Sequence, residues 1–214
     1  RHGGYLHFGV NGAERLRIDA NGKLLVGHNA AHQVAGGDSL VQVQATDSTG
    51  RISVVQHRNE AEGAPYISLG KTRGTSNGAV TVVQSGDTLG AIDFTGSGGS
   101  SMHNAARINC QVDNTPGNND MPGRIQFQTT PDGSTTPLVR MTIKSTGRVG
   151  INEGTPEAKL ELDGRFRILD NSDATPSTGK GLEISYYTGD DMGDILSYDR
   201  GGGSYKKLQL RGSS

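Results

Sequence analysis

Arg140-Met141-Thr142-Ile143-Lys144-Ser145-Thr146-Gly147-Arg148-Val149-Gly150-Ile151 reads as two short strands around a tight turn. Met141 and Ile143 alternate with Arg140, Thr142 and Lys144, the period of a half-buried strand, so they are expected to face a core. Ser145-Thr146-Gly147 is the turn, with Gly147 free to take a positive φ. Val149 and Ile151 then resume the alternation. An earlier copy, Arg15-Leu16-Arg17-Ile18-Asp19-Ala20-Asn21-Gly22-Lys23-Leu24-Leu25-Val26, aligns on this stretch without gaps. Arg15, Ile18 and Gly22 match Arg140, Ile143 and Gly147. Leu16 stands for Met141 and Lys23 for Arg148. Asn21-Gly22 is a strong short-range hairpin signal. One hairpin used twice predicts a modular, elongated architecture.

Outward from the hairpins, short alternating segments recur with turn signals every 8–12 residues, the all-β signature, and no window shows capped helical periodicity. Strands are expected at Tyr5–Val10, around Leu40, Ile52 and Val54, at Tyr66–Leu69, Ala79–Gln84, Ala91–Thr95, Ala105–Val112 and Arg124–Thr129. Leu160, Leu162, Phe166 and Ile168 alternate about Asp163-Gly164 and predict a further hairpin. The tail carries strands at Leu182–Tyr187, Ile195–Tyr198 and Tyr205–Leu210. Residues 28–38, 113–122 and 170–181 read as polar connections.

Composition asks how such a chain builds a core. Glycine makes up 33 of 214 residues and hydrophobic residues only 32%. A monomer with so few apolar side chains struggles to offset chain entropy. Disorder fits poorly, because proline is sparse and alternation is frequent. A core shared with other copies is the better reading and predicts an obligate oligomer. The net charge of −1 gives no broad basic footprint for nucleic acid. The single cysteine, Cys110, shares a strand face with Ile108 and Val112 and reads as a small buried hydrophobe. No apolar run approaches membrane-spanning length and no signal-peptide pattern opens the chain. A first residue of Arg1 suggests a piece of a longer protein.

Several constellations carry candidate chemistry. His28 and His32 stand four apart, but nothing marks a helix there and no carboxylate accompanies them, so a solvated loop is preferred to a metal. Asp113, Asn114, Asn118, Asn119 and Asp120 lack the spacing and terminal Glu of a calcium loop, which leaves a surface turn. Gly96–Gly99 has no lysine and opens no helix, against a phosphate loop. Asp190, Asp191 and Asp194 are the one group of neighbouring carboxylates suited to glycan hydrolysis, and acidic turns explain them more simply. The tail differs in composition. Tyr186, Tyr187, Tyr198 and Tyr205 are interleaved with Asp190, Asp191, Asp194, Asp199 and Arg200. Aromatic faces beside carboxylates and an arginine suit sugar rings, and equally suit a trimer core thin in aliphatics.

The chain also resembles the tail fibres of tailed bacteriophages, those of marine phages and cyanophages above all. The likeness rests on the hairpins, on Gly86-Asp87-Thr88-Leu89-Gly90-Ala91-Ile92-Asp93-Phe94, on Ala106-Arg107-Ile108, and on Pro122-Gly123-Arg124-Ile125-Gln126-Phe127-Gln128-Thr129-Thr130. It covers residues 80–152 well, 11–27 fairly and the last third loosely, and the order of segments carries it. The His-x-His pattern that holds iron at some fibre tips has no counterpart here.

Residues and resemblance together give these expectations. The fold is all-β, an elongated homotrimer of β-hairpin, β-sandwich or β-prism modules with intertwined strands. A first hairpin repeat spans 1–30, a β-rich module 31–137, a second hairpin repeat 138–170 and a tyrosine-rich β tip 171–214. The function is structural and adhesive: the distal segment of a fibre in the virion, binding a host surface glycan or outer-membrane protein during adsorption. Tyr186, Tyr187, Asp190, Asp191, Asp194, Tyr198, Arg200 and Tyr205 are the receptor-binding candidates. Other tail or fibre proteins are expected partners. No nucleic acid, metal, cofactor or catalytic residue is expected. A tailspike-like depolymerase and a bacterial trimeric surface adhesin are the alternatives.

Overall fold

A computed structural model describes residues 4–167, 178, 180–187 and 192–208. Every regular element among them is a strand, so the protein is all-β. The chain divides into two compact units, Arg1–Asp163 and Gly164–Ser214.

In the first unit, β1 (Leu6–Val10), β2 (Ala13–Ile18), β3 (Leu24–Val26) and β4 (Val41–Val43) form one sheet in that order. A six-stranded sheet holds β5 (Thr88–Ser97), β6 (Met102–Val112), β7 (Gly123–Thr129), β8 (Leu138–Ile143), β9 (Val149–Ile151) and β10 (Leu160–Leu162), also in chain order across the sheet. All neighbours are antiparallel except β3–β4 and β9–β10, which are parallel.

The two hairpins have one geometry. Leu16, Arg17 and Ile18 pair with Val26, Leu25 and Leu24. Met141, Thr142 and Ile143 pair with Ile151, Gly150 and Val149. Gly22 N–H donates to the Asp19 carbonyl at 3.0 Å, and Gly147 N–H to that of Lys144 at 2.9 Å. Both glycines sit at positive φ, 78° and 73°, the left-handed residue that completes a short hairpin loop.

The correspondence runs beyond the stretch that aligns in sequence. Upstream, Leu6 and Phe8 pair with Ile18 and Leu16, and Ile125 and Phe127 pair with Ile143 and Met141. A register shift follows Phe8 in one sheet and Phe127 in the other. Downstream, each hairpin is joined by a parallel strand, β4 or β10. The equivalent entry bonds are Leu24 N–H to Leu40 O and Val149 N–H to Lys159 O, at 2.7 and 2.9 Å. Strands β1–β4 and β7–β10 are therefore equivalent four-strand modules. Their β1–β2 and β7–β8 turns differ most: Asn11-Gly12 closes the first, with φ of 51° and 74°, and residues 130–137 close the second.

Three expectations are corrected. Met141 and Ile143 are only half-buried, and the fully buried residue is Thr142, on the other face. The return segment after β9 lies on that other face, with the Glu153 carbonyl so close over Gly150 that a Cβ there would collide with it. The apolar face is left open. Secondly, Leu160–Leu162 pairs in parallel with β9 and makes no hairpin about Asp163-Gly164; Ile168 lies outside the described residues. Thirdly, no strand forms between β4 and β5, although Ile52, Tyr66, Ile67 and Val80 sit in alternating patterns there. They are 74–96% exposed. A strand needs a neighbour for its N–H and C=O groups, and this stretch finds none within its own chain.

In the second unit, β11 (Lys180–Tyr187), β12 (Met192–Asp199) and β13 (Ser204–Tyr205) form an antiparallel meander. The last strand ends well short of the expected Leu210, which is outside the described residues.

Candidate functional site

The tail candidates come together in part. The β12–β13 turn is built by Asp199, whose carboxylate accepts the Gly202 N–H at 2.9 Å, with Gly203 at a φ of 58°. That backbone hydrogen bond lowers the Asp199 pKa, aided by Lys206 and Lys180. The turn brings Tyr205 opposite Tyr198, ring centroids 4.9 Å apart, edge to face. Arg200 folds back over the Tyr198 ring, its guanidinium carbon 4.6 Å from the centroid, while its Nε donates to Glu183 Oε1 at 2.9 Å. The result is an exposed Tyr205 ring backed by Tyr198 and edged by an arginine–carboxylate pair.

The other candidates are placed differently. Arg200 is engaged by Glu183, a partner the sequence reading missed because β11 and β12 had to be paired before the two met. The Arg200 hydrogen bond holds the Glu183 carboxyl below its ordinary range. Tyr186 stands opposite Gly193, on the face that carries Ile184 and Ile195, away from Tyr198. Asp194 pairs with Ser185 and is half-buried. Tyr187 closes β11 opposite Met192. Asp190 and Asp191, with Thr188 and Gly189 of their turn, lie outside the described residues.

Two carboxylates in the first unit hold loops, and neither stood out as structural in the sequence. The Asp113 side chain is fully buried. It accepts from Ser145 N at 3.0 Å and Ser145 Oγ at 2.7 Å, and pairs with Lys144 and with Arg124 at 3.4 Å. Burial pushes its carboxyl up, and Lys144 and Ser145 more than offset this, leaving it at about 2. Asp113 is thus the clamp between the polar loop and the second hairpin turn, where a solvated loop was expected. Asp87 accepts a bidentate pair from Arg73 at 2.7 and 2.8 Å, and the Gln84 N–H. The Arg73 bond holds its pKa far below the ordinary range. It ties the strandless stretch to the start of β5. His28 and His32 face each other at 5.9 Å, and no group of three metal-ligating side chains occurs among the described residues.

The largest feature of the first unit is apolar. One row crosses the whole six-stranded sheet through Ile92, Ile108, Phe127, Met141, Ile151 and Leu162. A second passes through Cys110, Ile125, Ile143, Val149 and Leu160, again by direct cross-strand pairing. The small sheet repeats the pattern with Leu6, Ile18, Leu24 and Val41, and with Phe8, Leu16, Val26 and Val43. Ile92, Leu160, Phe8 and Leu6 are all more than half exposed. Among the described residues only Leu25, Val83 and Val112 are buried hydrophobics.

No protein-family model and no curated protein matches this chain. Solved structures do. The carboxy-terminal domain of the bacteriophage T5 L-shaped tail fibre is similar over 83% of this chain and 76% of its own, with a TM-score of 0.55 and 16% identity. The same domain with its intra-molecular chaperone domain is similar over 91% of this chain, at a TM-score of 0.57 and 16% identity. Our chain spans 62% of that longer structure. At such identity the likeness is one of fold.

Proposed function

We propose that this chain is a segment of a phage tail fibre, assembled as a homotrimer in the virion. The two uncovered apolar rows carry the reading. Side chains that cross-strand pairing aligns over six strands are half exposed in one chain, and contiguous apolar surface of this kind marks an interaction site. A second and third copy would cover it. The unpaired stretch between β4 and β5 would find strand neighbours in the same step, which also removes open edges. The fold likeness to a tail-fibre domain supports this assignment.

The role is structural and adhesive, with host-surface glycan or outer-membrane protein as receptor and other tail proteins as partners; no catalysis is assigned. Within the tail, the Tyr198–Tyr205 pair with Arg200 is the favoured contact, because an exposed ring backed by a second ring offers a rigid apolar face to a sugar. Tyr186, Tyr187, Asp190, Asp191 and Asp194 complete the candidate set. The 1–30, 31–137, 138–170 and 171–214 segments are the working division of the chain.

Light scattering of the purified chain tests the assembly: three times the chain mass is expected, and a well-folded monomer at micromolar concentration would sink it. Adsorption of particles carrying Tyr198→Ala with Tyr205→Ala tests the adhesive role. Weakened adsorption by an intact trimer is expected.

A further inference from the structure

Glycine follows asparagine three times in this chain, at Asn11-Gly12, Asn21-Gly22 and Asn77-Gly78. Each pair sits in an exposed turn. Such a pair has a chemistry of its own. Once a base has taken its proton, the glycine backbone nitrogen attacks the asparagine Cγ. The new N–C bond closes a five-membered succinimide and ammonia leaves. Water then opens the ring at one of its two carbonyls, giving aspartate or its β-linked isomer, isoaspartate. Glycine has no Cβ to obstruct the attack. Two freedoms are needed. The glycine N–H must be unbonded, and the asparagine must turn about its Cα–C bond to bring Cγ to that nitrogen.

The three turns differ on both counts. At Asn21 the Gly22 N–H is engaged, donating to the Asp19 carbonyl at 3.0 Å. The Asn21 and Lys23 N–H groups on either side are held by the Asp19 carboxylate at 2.8 and 2.9 Å. At Asn11 the Gly12 N–H has no partner among the described residues, but the turn is pinned by the Val10–Ala13 pair directly outside it. Asn77 lies at the tip of a hook outside any strand. The Thr72 hydroxyl accepts the Thr81 N–H at 2.7 Å lower down, and one backbone bond closes the tip, Ala79 N–H to Ser76 O at 3.1 Å. The Gly78 N–H has no partner among the described residues. Nothing lies within 4 Å of where a Gly78 Cβ would be, so the tip has room to turn. Rearranging it disturbs one hydrogen bond and no strand ladder.

We infer that Asn77 is a self-modifying site, converting in water to aspartate and isoaspartate while the Asp19 bonds protect Asn21. Asn11 falls between them. The product puts a carboxylate in place of an amide on a chain whose net charge is −1. Its isoaspartyl form also adds a methylene to the backbone, at the tip of a hook that Arg73 fastens to Asp87. No enzyme is required, so the tip changes charge and length with the age of the chain.

Peptide mapping of the intact folded chain, held at neutral pH and body temperature, tests this. Trypsin places the three pairs on separate fragments, residues 2–15, 18–23 and 74–107. Fragment ions distinguish Asn77 from Asn104 within the last, and isoaspartyl methyltransferase labels the isomer. Asn77 should convert at least tenfold faster than Asn21, because a bonded N–H reacts only when its turn opens. In urea the three rates should converge, since each site is then the same dipeptide in an open chain. Asp19→Ala should quicken Asn21 and leave Asn77 as it was. An Asn77 rate no higher than that of Asn21 in the folded chain, or a difference that persists in urea, would overturn the assignment. An Asn21 rate unmoved by Asp19→Ala would overturn the protection on which the ranking rests.

Discussion

Two regions of the first unit, β1–β4 and β7–β10, follow one backbone plan and stabilise it by different means. Asp19 closes the first hairpin turn from within, accepting the Asn21 and Lys23 N–H groups at 2.8 and 2.9 Å. The equivalent position in the second is Lys144, and the carboxylate arrives from outside the module as Asp113. The interior differs too. Leu25 is completely buried, beside Gln42, which accepts the His32 N–H of the long crossover, residues 27–40, whereas the same place in the second module is Gly150, pressed by the Glu153 carbonyl. A short crossover passes close to the sheet and requires glycine; a longer one leaves room that leucine fills. The plan is set by backbone pairing, and the side chains follow from the connections.

Exchanging these interiors is the harshest test. Gly150→Leu drives a side chain into the Glu153 backbone, which cannot swing aside as a side-chain tip would. Overpacking costs roughly 1–3 kcal/mol where side chains yield, so a loss of about 3 kcal/mol or more is expected in urea denaturation. A loss below about 1 kcal/mol would mean that the 152–159 return segment does not lie on the sheet. Leu25→Ala should cost about 3 kcal/mol through the cavity it leaves. A near-silent Leu25→Ala would show that the long crossover collapses onto the sheet.

The sequence disclosed more of this plan than of its consequences. Gap-free matching of Arg15–Val26 with Arg140–Ile151 was enough to foresee equal registers, because turn chemistry and period-two alternation are local. Leu6/Ile125 and Phe8/Phe127 escaped notice: the turns after β1 and β7 differ in length, and that breaks the alignment. Alternation placed Met141 and Ile143 on one face correctly but could not say what covers each face, which depends on the crossover. For the same reason Asp113 read as a solvated loop residue. In the tail, the tyrosines were visible as composition, while Glu183 opposite Arg200 was not, since pairing across a hairpin is needed to bring them together. Arg17 makes a bidentate pair with Glu14 at 2.6 and 2.7 Å and covers the Tyr5 ring at 3.9 Å, contacts that alternation alone does not foresee.

A carboxylate from each module's support sharpens the comparison next. Asp113 has a folded pKa of about 2, below its ordinary 3.8. A depressed carboxyl adds stability that is fully present above the unfolded value and is lost as pH falls through the folded one. Between about pH 4 and pH 2, therefore, the second module should lose about 2 kcal/mol. Asp113→Asn should flatten that limb of an acid titration followed by hydrogen exchange at Ser145. Arg17→Ala, which strips Glu14 of its half-buried partner in the first module, should cost less and leave the acid limb in the second unchanged. An unaltered limb in Asp113→Asn would remove the clamp from the account.

The mildest test asks whether the turns themselves are equal once the carboxylates are set aside. Gly22 and Gly147 occupy the same loop position at φ of 78° and 73°. A Cβ at Gly22 would meet nothing within 4 Å, and at Gly147 only the tip of Lys159, 4.0 Å away. Packing therefore contributes nothing to the preference for glycine, and the left-handed backbone contributes all of it. Alanine at either place should cost the left-handed penalty alone, about 1 kcal/mol. Asparagine should recover part of that, because it tolerates this region better than alanine does. The two alanine variants should then agree within a few tenths of a kcal/mol in urea denaturation, the usual error of such differences. A much larger loss at Gly147 would show that the Asp113 clamp, fixed on Ser145, denies the second turn the small adjustment that the first can make. The modules would then share a backbone plan and differ in stiffness, with the second turn locked by the buried Asp113 and the first held by its own Asp19 and by the exposed Asp38 on Lys23.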